Sequence, residues 1–108
     1  MTAYPIVRRG RAEQDVDEAL GFYLAEAGGK VALGFIEALE QRYRRISEGP
    51  AAGSSRYAHE LDLPGLRSRA LKGYPYLVFY VQRLDHIDVW RVLHAASDIP
   101  AWISDEGL

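Results

Sequence analysis

The sequence predicts an α+β domain: an N-terminal strand, an antiparallel two-helix hairpin, a three-stranded antiparallel meander and a short C-terminal helical turn. Three observations carry this. Apolar residues recur at helical spacing in two stretches before position 50. After position 65 they alternate with a period of two or run continuously in three stretches. Turn formers mark the joins, at Gly28-Gly29, at Gly49-Pro50, and at Gly73 with Pro75. With 108 residues, 48% of them hydrophobic and 26% charged, the chain reads as one domain over 1–108 with a core from about 4 to 103.

The elements follow in order. "YPIVRR" is a short β-prone segment that ends at Gly10. Glu13, Asp15, Asp17 and Glu18 then crowd the first turns of a helix, where the helix dipole favours anions. Its apolar positions are Ala12, Val16, Ala19, Leu20, Tyr23, Leu24 and Ala27. Gly28-Gly29 stops it. A second periodic set, Ala32, Phe35, Ile36, Leu39, Tyr43 and Ile46, runs to "EGPAAGSS". The short connection makes the two helices antiparallel neighbours.

After a polar, irregular stretch, "LRSRAL" alternates: Leu66, Ser68 and Ala70 on one side, Arg67, Arg69 and Leu71 on the other. It is a strand with a basic face. "YLVFYV", Tyr76 to Val81, is apolar on both faces and belongs in the middle of the sheet. From His86 onward, Ile87, Val89, Arg91 and Leu93 alternate with Asp88, Trp90, Val92 and His94. In "HAASDIPAW", Ser97 or Asp98 caps a short helix with Pro100 in its first turn. One sheet with its helices on one side completes the layered architecture.

Composition removes whole classes of function. Without cysteine there are no disulfides or thiolate metal sites, and His59, His86 and His94 lack ligand spacing, so neither metal nor cofactor is expected. No apolar run reaches the roughly 18 to 20 residues that cross a bilayer, and "MTAYPIVRRG" lacks the apolar stretch of a secretion signal. A cytoplasmic protein without membrane contact is expected. The net charge of −2 argues against a dedicated nucleic-acid binder. Charge is uneven, however. From Gln41 to Arg83 eight basic residues face three acidic ones, whereas acids dominate both flanks.

The frame "GLRSRALKGYPYLVFYV" followed by "IDVWRVLHAASDIPAW" resembles the C-terminal part of the ParE/RelE superfamily of bacterial type II toxins. The order of elements agrees with it from about Tyr4 to Ile103. The resemblance implies one of two activities: poisoning DNA gyrase through protein contact, or cutting messenger RNA on the ribosome. A cutter needs converging cations and an acid/base group. Here the resemblance supplies Arg67, Arg69, Arg91 and His94 as the candidate catalytic set of a metal-independent endoribonuclease. Other family positions depart from that pattern. Pro75 and Tyr76 stand where an arginine heads the central strand, Trp102 stands near the place of a C-terminal tyrosine, and "SDEGL" adds acid where RNA would approach.

The resemblance therefore points first to a ParE-like gyrase inhibitor, bound and neutralised by a cognate ParD-like antitoxin in a hetero-oligomer. The alternatives are a RelE-type ribosome-dependent ribonuclease and a non-toxic homologue that only binds the antitoxin. Leu20, Tyr23, Phe35 and Leu39 on the hairpin are the expected antitoxin-binding residues. Arg67, Arg69, Lys72 and Arg91 are the expected contacts for the target or another acidic partner. On a regular strand Arg91 and His94 point to opposite faces. Arg91 needs an anion, which Asp98 or another protein would supply.

Overall fold

A single residue, Gly28, separates the two long helices, at a φ of 90° that favours glycine. Its N–H returns to the Tyr23 carbonyl at 3.0 Å, closing the first helix as the second begins. The structure, a computed structural model, describes residues 3–104 and 106. Its elements are β1 (Ile6–Arg8), α1 (Gly10–Ala27), α2 (Gly29–Glu48), a 3-10 turn at Pro50–Ala52, α3 (Arg56–Leu61), β2 (Leu66–Ala70), β3 (Tyr76–Gln82), β4 (Ile87–His94) and α4 (Ile99–Ser104). In "SDEGL", positions 105, 107 and 108 lie outside the described residues, as do 1 and 2.

The strands form one sheet in the order β1-β4-β3-β2. β2, β3 and β4 are the predicted antiparallel meander, while β1 lies parallel beside β4 with Ile6 opposite Ile87. α2 lays Ala32, Phe35, Leu39, Tyr43 and Ile46 on the sheet, the spacing read from sequence. Fully burying a side chain such as Phe35 or Ile46 contributes roughly 1.5–3 kcal/mol. The buried residues of α1 are Ala12 and Ala19, small side chains that let it lie close.

Two features differ from the sequence reading. The sheet is covered on both faces: behind it, Leu66, Phe79, Val81, Trp90 and Leu93 pack with Ile99 and Ile103 of α4 and with Tyr57, Ala58 and Leu61 of α3. α3 lies in the stretch read as irregular, and helices therefore flank both sides. Second, the β3–β4 register shifts between Phe79, opposite Arg91, and Tyr80, opposite Val89. This bulge resets the alternation of β4. Ile87, Val89 and Val92 all reach the core under the hairpin, while Trp90 and Leu93 reach the other.

Candidate functional site

Arg91 is 2% exposed, and its anion is neither Asp98 nor another protein. Its Nε and Nη2 donate to the two carboxylate oxygens of Asp15 on α1, both at 2.7 Å. Asp15 also accepts the Val92 backbone N–H at 3.0 Å, and Arg91 Nη1 donates to the Trp102 carbonyl at 3.3 Å. The Trp102 ring faces the guanidinium at 5.1 Å. Arg91 thus ties β4, α1 and α4 together, with its hydrogen bonds turned inward. Asp98 instead caps α4, its carboxylate accepting the Ala101 N–H.

His94 borders the same shallow pocket of about 300 Å³ as Arg91, with Phe22, Tyr76 and Trp102 at its rim. The bulge precedes Arg91, so the two side chains still alternate along β4. The His94 ring packs edge-on against Tyr76 at 5.1 Å, and its Nδ1 accepts the Ala96 N–H at 3.0 Å. That nitrogen closes the turn after β4.

The remaining basic candidates are dispersed. Arg67 Nη1 donates to the Gly53 carbonyl at 2.8 Å, alongside the buried Tyr80 hydroxyl, which donates to the Pro50 carbonyl at 2.6 Å. Arg69 pairs with Val78, and Val78 in turn with Val92. Arg69 is therefore two strands from β4, roughly 10 Å by strand spacing. With Lys72 it borders a separate pocket of about 180 Å³, whose other wall carries Arg42 and Arg45 of α2. Arg67, Arg69, Arg91 and His94 do not converge. Among the described residues no group of three or more metal-ligating side chains forms either, and no helix is long and apolar enough to cross a membrane.

The hairpin candidates differ in depth. Phe35 is completely buried, Leu39 nearly so, and Leu20 and Tyr23 are half-buried. Tyr23 and Phe35 meet Tyr74 and Tyr76 in an aromatic cluster with ring centroids 5.3–6.2 Å apart. Phe22, Leu24, Val31 and Leu33 stay exposed around the hairpin tip. A larger groove of about 840 Å³ runs between β1 and the two helices, floored by Val16, Ile36, Leu39 and Tyr43 and rimmed by Arg8, Glu13, Glu40 and Arg44. The Tyr43 hydroxyl is buried without a hydrogen-bond partner, and burial pushes its pKa up to about 12.

A family model described as the ParE toxin of the type II toxin-antitoxin system, parDE, matches residues 6–99. The chain belongs to this family. A solved structure described as "Chromosomal ParDE TA system from P. aeruginosa" matches with a TM-score of 0.72 at 17% identity, covering 85% of this chain and 96% of that one. At that identity the likeness is one of fold. No curated protein matches. In this ParE-family chain, sequence reasoning missed Asp15 as the Arg91 partner and Arg42 and Arg45 as neighbours of Arg69. Only the latter had a local signal: positions 42 and 45 lie one turn apart on α2, across from the basic face of β2.

Proposed function

We propose that this ParE-family toxin acts inside the cell by inhibiting DNA gyrase through protein contact, without bond chemistry of its own, and that a ParD-like antitoxin neutralises it. The observation that carries the proposal is the Asp15–Arg91 ion pair. It withdraws from the surface the arginine that a phosphodiester-cleaving site on β4 would use, while His94 Nδ1 is held by Ala96. A transition state bearing phosphorane charge finds no converging donors there.

The hairpin supplies the antitoxin seat. Leu20 and Tyr23 offer apolar surface beside the exposed tip, Leu39 floors the groove, and Phe35 supports the aromatic cluster from beneath. An amphipathic helix laid along these residues is the fitting partner. Arg69 and Lys72 remain available to an acidic partner, whereas Arg67 and Arg91 are engaged internally.

The test is purified protein in a gyrase supercoiling and cleavage assay beside messenger RNA cleavage on programmed ribosomes. Gyrase inhibition without RNA cleavage is the expected result. Rapid ribosome-dependent cleavage would establish the ribonuclease reading, and inactivity in both with retained antitoxin binding would leave a non-toxic binder. Leu20→Glu or Tyr23→Glu should weaken antitoxin binding while circular dichroism stays unchanged.

A further inference from the structure

α2 and the edge strand β2 bring four cations to one small pocket. Gln41, Arg42 and Arg45 of α2 line one wall, and Arg69 and Lys72, the latter just past β2, the other. None of the ion pairs among the described residues uses any of the four. Arg42 Nε is covered from solvent and has no hydrogen-bond partner. Burial, then Arg69, then Arg45 push the Arg42 guanidinium below its ordinary pKa. Like charges held together in this way raise the energy of the folded chain until an anion arrives.

Beside the pocket the sheet has an open edge. Ser68 exchanges both of its backbone hydrogen bonds with Ser54 on the outer side of β2, at 2.9 and 3.0 Å. Leu71 turns its N–H inward to the Tyr76 carbonyl. The alternation of an antiparallel strand therefore aims the N–H and C=O of Ala70 outward, where no described residue takes them. Such an edge is a template for another strand.

We infer that the outer edge of β2 at Ala70 and the Arg42–Arg45–Arg69–Lys72 pocket form one docking site for an extended acidic polypeptide segment. The segment pairs its backbone with Ala70 and sets its carboxylates against the four cations. A nucleic-acid backbone fits less well. The chain carries a net charge of −2, with acids in excess on both sides of the basic middle, so a long polyanion meets repulsion beyond this spot. A free peptide edge also recognises peptide and has no counterpart in a phosphodiester chain. This inference deepens the acidic-partner part of the proposal above, yet its test is separate: gyrase and antitoxin assays read that proposal, and peptide titration reads this one.

The experiment uses the full chain with a fluorescent short peptide of alternating valine and glutamate, beside the glutamine analogue, inorganic phosphate and a short DNA duplex. The glutamate peptide should bind at low salt and weaken as salt screens the pocket. Arg42→Gln with Arg69→Gln should weaken it about tenfold, near 1.4 kcal/mol. Arg44→Gln, on the rim of the other groove, should leave it unchanged. Hydrogen exchange at the Ala70 amide should slow when the peptide is bound. Equal binding of the glutamine analogue, tighter binding of DNA or phosphate, or unchanged Ala70 exchange would each overturn the inference. Should the double variant fail to fold, the peptide comparison and the salt dependence on the natural chain still decide.

Discussion

Arg91 and Asp15 lie 76 residues apart in sequence and form a two-point ion pair with both N···O distances at 2.7 Å, buried between β4 and α1. Breaking one side of such a pair leaves a bare charge in the interior. Asp15→Ala should therefore lower stability by roughly 3–5 kcal/mol, whereas Asp15→Leu combined with Arg91→Met should recover much of it. Denaturant melts of the two variants measure this. If Asp15→Ala cost under about 1 kcal/mol, the exposed-pair range, the pair would not hold the helix to the sheet.

Asp88 is the anion shared by Arg9, Arg83 and Trp90 Nε1, at 2.9 to 3.2 Å. Burial alone raises its carboxyl pKa, but the hydrogen bonds from Arg9, Arg83 and Trp90 outweigh it, and the net value is depressed. A depressed folded value contributes stability that is complete above the ordinary carboxylate pKa near 4 and lost as pH falls through the folded value. Asp88→Asn should cost roughly 1.5–3 kcal/mol at neutral pH and flatten the acid limb of the stability curve. An unchanged acid limb would remove Asp88 as its cause.

Tyr43 presents the opposite case, a buried hydroxyl without a partner. Tyr43→Phe keeps the ring and removes the orphan, so stability should be unchanged or rise by about 1–2 kcal/mol. The raised phenol pKa makes its contribution complete below pH 10 and lost progressively toward about 12. The variant should be less sensitive to alkali over that window. Thermal melts at neutral and alkaline pH test both parts, and a loss above about 1 kcal/mol at neutral pH would mean the hydroxyl has found a partner.

His94 separates chemistry from scaffolding. His94→Gln removes the acceptor for the Ala96 N–H and the edge contact with Tyr76, which should cost about 0.5–1.5 kcal/mol. Gyrase inhibition by the folded variant should match that of the natural chain. A ribonuclease would instead lose roughly 10²- to 10⁴-fold in single-turnover cleavage with little change in stability.

The element order was legible because each long element carries its own period: Phe35, Leu39, Tyr43 and Ile46 at helical spacing, and Arg67 and Arg69 in alternation. α3 was not, because its six residues are too short to show a period and its apolar Tyr57, Ala58 and Leu61 pack only against a face of the sheet that sequence left undefined. The bulge was equally hidden. Every residue from Ile87 to Leu93 is buried, so neither face of β4 shows as solvent and a one-residue slip leaves no trace in the hydropathy pattern. Of the site, the basic character of β2 was readable, but the convergence with Arg42 and Arg45 depends on how α2 crosses the sheet, and the Asp15 partner depends on where α1 meets β4. Spacing along a chain does not encode such crossings.

The parallel pairing of β1 with β4 has a kinetic consequence. The N-terminal strand, from Ile6, pairs with Ile87 to Val89, and Arg9 just after it binds Asp88, 79 residues downstream, and Glu106. Contacts of such span must bear loop-closure entropy before they contribute, which slows folding relative to a helical domain. During synthesis the hairpin can form early, but the sheet it packs on is incomplete until β4 has followed. Until β4 is in place the hairpin's apolar face is open to whichever partner reaches it first.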